Sequence, residues 1–138
     1  MYSDGQLPVR PIIADAHQAV LDSLTRSGRF LTSAQRIEVA HQVRVARDCL
    51  LCNERKASLS PYTVDGAHPD SGTLPAVLVD VAHRVATDPA RLSPEWLNGL
   101  DVEVDLYLEV VGLTVKIVGM DTFARGIGAA PVELPQSG

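Results

Sequence analysis

The two cysteines of the chain, Cys49 and Cys52, are three positions apart and form a C-x-x-C motif. Across one turn of helix this spacing brings two sulfurs within reach of a disulfide. Asp48, directly before the first cysteine, is a residue type that caps helices. A cysteine in the first turn lies near unpaired backbone N–H groups, which stabilise a thiolate. The motif therefore predicts a two-cysteine redox centre at the start of a helix.

Two other interpretations of the cysteine pair stay open. Free cysteines are often inert side chains buried among apolar groups. The pair also matches half of a zinc site, but the sequence contains no second C-x-x-C and no H-x-x-x-H that would complete four ligands. We therefore expect neither a metal ion nor a cofactor.

Three residues near the motif are candidates to move protons or to stabilise a thiolate. Helical periodicity puts Glu38 and His41 on the side of a predicted helix that leads to Cys49. His41 is favoured as the general base because histidine titrates near neutral pH. Lys56, four residues after Cys52, can lower a thiol pKa as a nearby cation. Each of the three is also an ordinary side chain for a helix surface.

Other polar residues have predicted structural roles. His83 lies in an apolar run, which predicts a core or interface histidine hydrogen-bonded to the backbone. His68 lies in a predicted loop over the motif, from which it can reach the cysteines. Asp121 and Arg125 are four residues apart and predict an ion pair along one helix.

Length and composition indicate one domain. The chain has 138 residues, of which 46% are hydrophobic, enough for a single core. Its formal charge of −5 argues against nucleic acid as a partner. The N-terminus has no basic segment followed by an apolar one, so we expect no secretory signal and a cytoplasmic location. In a reducing cytoplasm such a cysteine pair is typical of catalytic or metal-binding sites.

Capping signals and periodicity predict an all-α fold of about six helices, with the C-x-x-C helix beside a long C-terminal helix. The capping signals are a capping box formed by Thr32 and Gln35 and single caps at Thr73 and Ser93. The last helix is apolar over most of its circumference, so it must be central in the domain or lie in a subunit interface. Its charged residues exclude a membrane span. We predict a tail over 1–11, one helical domain over 12–128 and a second tail over 129–138, with helices near 12–24, 34–47, 50–59, 74–87, 94–100 and 102–125.

Two stretches carry a resemblance to a known family. The first joins 33–40 to the run Asp48-Cys49-Leu50-Leu51-Cys52-Asn53-Glu54-Arg55-Lys56. The second extends from His83 and the Asp88-Pro89 turn through Leu108-Glu109-Val110-Val111-Gly112 to Phe123-Ala124-Arg125-Gly126-Ile127-Gly128. Together they cover about 30–128 and resemble the alkylhydroperoxidase D / carboxymuconolactone decarboxylase superfamily, most closely its peroxidase-related branch.

The resemblance implies an AhpD-like fold, assembly into trimers or hexamers, and an antioxidant peroxidase that reduces alkyl hydroperoxides or disulfides. It implies that Cys52 attacks the peroxide, that Cys49 closes a redox-active disulfide, and that a thiol protein or small thiol reduces it again. The family also has a glutamate before the first cysteine and a histidine four residues after the second. Here the histidine position holds Lys56, and Glu38 lies one residue after the glutamate position.

Two alternatives to this enzyme remain. The first is a non-catalytic helical oligomer that binds partners through its surface and at most responds to the redox state. A weaker one is a decarboxylase or isomerase that uses His41 and Glu38 and would keep its activity without the cysteines.

Overall fold

The computed structural model describes residues 1–69 and 72–136, which form helices and turns and no β-strand. The all-α prediction is confirmed over these residues. The helices are α1 (Pro11–Leu24), α2 (Ser33–Ala46), α3 (Leu50–Ala57), α4 (Ala76–Thr87), α5 (Pro94–Asn98) and α6 (Val104–Gly126), with 3-10 turns at Pro61–Thr63 and Pro89–Arg91.

The core lies between α2, α4 and α6, which pack against one another. Helix α6 contributes apolar side chains at spacings of three and four, which puts them on one face of the helix. These side chains are almost fully buried, and each large one stabilises the fold by roughly 1.5–3 kcal/mol. The prediction of a central C-terminal helix is confirmed by the burial of Val110, Leu113, Ile117 and Met120.

No helix of the described part of the chain has the length and apolar character that crossing a membrane requires.

Helix α2 has the predicted capping box. The Thr32 side chain accepts a hydrogen bond from the Gln35 backbone, and the Gln35 side chain accepts one from the Thr32 N–H. The helix ends at Ala46, and after a short turn Cys49 is the N-cap of α3. Cys49 thus replaces Asp48 in the predicted capping role. Because of this turn, the periodicity of α2 does not extend as far as the cysteines.

Helix α4 begins slightly later than predicted. The predicted cap is Thr73, but Pro75 is the N-cap and the helix starts at Ala76. Pro75 has extended backbone angles of φ −56° and ψ 143°, so its ring precedes the first helical turn instead of lying inside it. The predicted cap of α5 is confirmed, since Ser93 Oγ accepts a hydrogen bond from the Trp96 N–H at 3.2 Å.

The predicted ion pair between Asp121 and Arg125 is wrong. Asp121 faces α2 and is bound there by Arg44, with Nε–Oδ2 at 3.1 Å and Nη2–Oδ1 at 3.0 Å. Asp121 is only 4% exposed, whereas the exposed Arg125 donates to Thr122 Oγ1 at 3.5 Å. Two parallel bonds to a planar guanidinium are stronger than a single contact along a helix surface. This pair therefore joins α2 to α6.

Replacing Arg44 with alanine is expected to lower the free energy of unfolding by about 2 kcal/mol, because it leaves the buried Asp121 carboxylate without its counter-charge. The control is Arg125→Ala, which removes an exposed arginine one helical turn after Asp121. It is expected to change the free energy of unfolding by less than about 0.5 kcal/mol. Urea denaturation of both variants measures the difference. Equal effects would mean that Asp121 draws on Arg125 after all.

The segments predicted as tails pack on the helical domain. Tyr2 is 7% exposed, and its hydroxyl bonds to His17 Nδ1 at 2.7 Å. The Gln6 N–H donates to the Ile127 carbonyl at 2.8 Å, which joins the two ends of the chain. Leu134 is buried in the main core. The compact structure therefore extends beyond 12–128 on both sides.

Candidate functional site

The two cysteines lie at the start of α3, as predicted, and both are buried. Cys49 is the N-cap residue and Cys52 belongs to the first turn. Their exposed fractions are 2% and 3%, and both sulfurs are free thiols. They form a small cluster of their own with Leu51 and Val64, separate from the main core.

His68 reaches both sulfurs from the segment that follows the first 3-10 turn. Its Nδ1 lies 3.5 Å from Cys49 Sγ and 3.8 Å from Cys52 Sγ. The segment is attached to α3 by a hydrogen bond from Arg55 Nε to the Val64 carbonyl at 3.2 Å. The sequence left contact between His68 and the motif only as a possibility, and the structure shows this contact.

His83 also contacts Cys52. It lies on α4, is fully buried, and places Nδ1 3.2 Å from Cys52 Sγ. Its Nε2 lies 2.7 Å from Gln42 Oε1. The predicted partner was the backbone, and this prediction is wrong because the helix already pairs the nearby carbonyls. A buried imidazole then requires side-chain partners, and α2 and α3 supply them.

The protonation of His83 follows from its contact with Gln42. Gln42 Nε2 donates to Glu38 Oε1 at 3.1 Å, which directs Gln42 Oε1 toward His83. An amide oxygen only accepts hydrogen bonds, so His83 Nε2 carries the hydrogen. In a neutral imidazole the other nitrogen then has a free lone pair. His83 Nδ1 therefore presents a lone pair to Cys52.

His68 is held by a carboxylate. Its Nε2 lies 2.8 Å from Asp80 Oδ1, on α4. Asp80 also accepts from Arg55 Nη1 at 2.6 Å and from Arg84 Nε at 3.1 Å. The Asp80 carboxylate thus binds three side chains, one each from α3, from α4 and from the segment that contains His68. The arrangement fixes the His68 ring with Nδ1 directed at the sulfurs.

These contacts shift the pKa values of the two histidines in opposite directions and lower that of Cys49. Burial lowers the pKa of His68, but the hydrogen bonds with Asp80 and both sulfurs raise it to about 10. Burial and the neighbouring His68 charge lower the pKa of His83 to about 4. Burial raises the pKa of Cys49, but the hydrogen bonds from His68 and Cys52 outweigh this and lower it. Although burial opposes it, His68 and two arginines hold the pKa of Asp80 well below its usual range. These directions favour a thiolate at Cys49 beside a positively charged His68.

The other candidate residues lie farther from the sulfurs. His41 is exposed on α2 and forms no side-chain hydrogen bond or ion pair within the described part of the chain. Lys56 is exposed and lines a separate surface cleft with Arg47 and Asn53. Glu38 connects to Cys52 only through Gln42 and His83. The α2 residue that the structure joins to the cluster is Gln42, through its contact with His83.

Sequence reasoning missed Gln42, Asp80 and the contact of His83 with the sulfur. A signal for the last two exists: Asp80 and His83 interrupt the otherwise apolar run of α4, three residues apart. Residues at this spacing share a helix face. Polar groups that interrupt an apolar face require partners when they are buried.

Four potential ligand atoms converge at this place. The sulfurs of Cys49 and Cys52 and one ring nitrogen each of His68 and His83 all lie within 4.8 Å of one another. The two imidazole rings contact each other at an interplanar angle of 46°, with 4.0 Å between their centroids. Such a cluster can carry out dithiol–disulfide chemistry or hold a metal ion that prefers sulfur and nitrogen.

A cleft of about 430 Å³ leads to this cluster. His68 and Asp80 form part of its wall, and the remaining wall is mostly apolar. Small molecules therefore reach the histidine that contacts both sulfurs without passing through the core. The other described lining residues are Gly66, Ala67, Pro69, Gly72, Leu74, Ala76 and Val79.

Comparisons of the chain with protein-family models, with curated proteins and with solved structures found no match.

Proposed function

We propose that this protein is a thiol oxidoreductase that reduces small hydroperoxides by closing Cys49 and Cys52 into a disulfide. One observation carries the proposal: each sulfur lies at hydrogen-bond distance from a histidine Nδ1, and the other ring nitrogen of each histidine is bound by Asp80 or by Gln42. Thiol chemistry requires a proton acceptor held in this way beside the sulfur. The resemblance to the alkylhydroperoxidase D superfamily supports the same reaction.

The proposed reaction has two steps. A thiolate attacks the terminal oxygen of the hydroperoxide and the O–O bond breaks. The departing alkoxide takes one proton from His68 and leaves as an alcohol, while the sulfur becomes a sulfenic acid. The second thiol then attacks that sulfur, which forms the S–S bond and releases water. Two thiols and one hydroperoxide thus give one disulfide, one alcohol and one water. A reducing thiol protein or small thiol restores the pair by thiol–disulfide exchange.

We assign the attacking role to Cys49. It is the N-cap of α3, where unpaired N–H groups favour a negative sulfur. His68, which contacts it, is backed by Asp80 and can pass a proton to the departing oxygen. The resemblance instead gives the attack to Cys52 and the resolving role to Cys49, and the two assignments predict different products in single-cysteine variants.

Access to the sulfurs favours small substrates. Both are nearly inaccessible, and the cleft beside them borders His68. A hydroperoxide of a few atoms fits such a cleft, whereas a protein disulfide requires the segment around His68 to move. We further propose a cytoplasmic location, since there the pair is kept reduced between turnovers.

The test treats the reduced protein with one equivalent of hydroperoxide and measures its mass and free thiols. We expect loss of two hydrogens and of both thiols in the parent chain. The Cys52→Ser variant is expected to accumulate a sulfenic acid at Cys49 that a dione reagent traps, whereas Cys49→Ser is expected to react slowly. The opposite pattern assigns the attack to Cys52. Two thiols that stay reduced would end the redox proposal.

The matched control is His17→Gln, which alters a histidine outside the site. His17 bonds to the Tyr2 hydroxyl near the N-terminus and contacts neither cysteine. This variant is expected to form the disulfide at the rate of the parent chain. A large loss of rate here would mean that general destabilisation, and not the sulfur–imidazole contacts, determines reactivity.

A second candidate is a non-catalytic helical oligomer of the same fold. It is favoured by three exposed apolar residues on one face of α6, Val104, Leu108 and Val115. The trimer or hexamer that the resemblance implies would cover such a face. Sedimentation at several concentrations tests assembly, and an oligomer whose thiols ignore hydroperoxide would favour this candidate over the enzyme.

A further inference from the structure

We propose that reduced Cys49 and Cys52, together with His68 and His83, bind one zinc ion in a closed tetrahedral site. This inference goes beyond the proposed redox function and does not depend on it. It follows from the positions of four side chains that three separate parts of the chain bring together: the start of α3, the segment after it, and α4.

Three sulfur–nitrogen distances within the cluster are close to those of a zinc site, and all four atoms lie within 4.8 Å of one another. Zn–S bonds of about 2.3 Å and Zn–N bonds of about 2.05 Å, in a tetrahedron, separate sulfur from nitrogen by about 3.5 Å. The observed separations are 3.5 Å from Cys49 to His68, 3.8 Å from Cys52 to His68 and 3.2 Å from Cys52 to His83. The four atoms thus surround one point closely enough for an ion to bind all of them.

The histidines are oriented as metal ligands usually are. Both direct Nδ1 at the sulfurs, and both bind an oxygen acceptor through Nε2: Asp80 for His68 and Gln42 for His83. A ligating histidine almost always donates its second N–H to a carboxylate, carbonyl or water, which fixes the ring and leaves the ligating nitrogen free. Hydrogen-bonded thiols alone would not require this arrangement on two rings at once.

Charge and ligand type favour zinc over other common ions. Thiolate and imidazole are typical zinc ligands, whereas magnesium and calcium prefer oxygen. Two thiolates and one Zn²⁺ sum to no net charge, so the centre can remain buried without a large desolvation cost. Four protein ligands also leave no open position for a metal-bound water, which is the pattern of structural and not of hydrolytic zinc sites.

The zinc site that the sequence interpretation could not complete is thus completed by two single histidines. They are 15 positions apart in the chain and follow no short motif. In the folded chain, binding of one ion would attach the segment around His68 to both α3 and α4.

The experiment titrates the reduced protein with cobalt(II) and then with zinc. We expect one equivalent of cobalt to give the strong visible bands of a tetrahedral ion and a sulfur-to-metal charge-transfer band, and one equivalent of zinc to remove both. His68→Ala, at the cleft wall, is expected to weaken zinc binding by more than about a hundredfold, and His17→Gln to leave it unchanged.

Because His83 is fully buried, the zinc affinity of His83→Ala is compared with that of the parent chain only after circular dichroism shows that the variant is folded. A Cys49→Ser, Cys52→Ser double variant is expected to lose the charge-transfer band entirely. Weak six-coordinate cobalt spectra, no stoichiometric binding, or full affinity in the His68→Ala variant would each overturn the zinc proposal. None of these readouts involves hydroperoxide, so the site and the proposed reaction succeed or fail separately.

Discussion

The Asp80→Asn variant is expected to unfold with a free energy about 3 kcal/mol lower than that of the parent chain. Asp80 binds His68, Arg55 and Arg84 at distances of 2.6 to 3.1 Å. The amide keeps the size of the side chain but removes its negative charge. Three partners that are each at most 13% exposed then lose their counter-charge together. Breaking a largely buried charged network by removing its centre is among the more costly single changes.

The control for this prediction is Asp88→Asn. Asp88 also forms a short ion pair, with Arg91 at 2.6 Å, but Arg91 is 34% exposed and is the single side-chain ion-pair partner that the described structure gives Asp88. It is expected to cost less than about 1 kcal/mol. Denaturation at neutral pH measures both variants. Similar losses in the two would contradict the view that the charges around Asp80 act as one network.

The Asp80→Asn variant also tests whether Asp80 orients His68. Losing the carboxylate behind a ligating histidine typically weakens metal binding ten- to a hundredfold. Zinc affinity is therefore expected to fall within that range in Asp80→Asn and to stay unchanged in Asp88→Asn. An unaltered zinc affinity in Asp80→Asn would mean that Asp80 stabilises the fold without positioning the imidazole.

Zinc is expected to raise the thermal stability of the reduced protein strongly. A ligand present at a thousand times its dissociation constant stabilises the folded state by about 4 kcal/mol when it binds only that state. For a domain of this length the melting temperature then rises by roughly 10 to 15 °C. Scanning calorimetry of reduced protein with and without zinc measures the shift, and a chelator is expected to reverse it.

Oxidation is expected to abolish this shift. The disulfide joins the two sulfurs that would otherwise bind zinc as thiolates, so the disulfide and the zinc complex exclude each other. The oxidised chain and the Cys49→Ser variant are therefore expected to melt at the same temperature with and without zinc. An equal rise in these two samples would contradict binding at the cysteine pair and indicate zinc on exposed groups.

Local signals predicted most of the fold. The capping box at Thr32 and Gln35 and the serine cap at Ser93 both form as the residues indicate. Each depends on atoms within a few residues, so the sequence alone is sufficient. The burial of α6 was also predictable, because a helix that is apolar on most sides is stable in water only when neighbouring elements cover it.

The site was less predictable, because its contacts join distant parts of the chain. Gln42, His83 and Cys52 belong to three different helices, and only the packing of α2 against α4 brings them into line. The short turn after Ala46 also rotates α3 relative to α2. Periodicity extended across that turn favoured His41, whereas Gln42 is the α2 residue that binds His83, which in turn contacts Cys52. The pairing of Asp121 with Arg44 escaped prediction for the same reason.

Gln42 has a consequence for how protons leave the sulfurs. It links His83 to Glu38, so the path from Cys52 toward α2 looks continuous in hydrogen bonds. A neutral amide, however, neither gives up nor takes up a proton at ordinary pH, so protons are not transferred through Gln42. Of the two histidines at the sulfurs, only His68 lines the cleft, so we expect protons to be exchanged through His68. In the proposed reaction the hydroperoxide and the protons would then approach the buried pair from the same side.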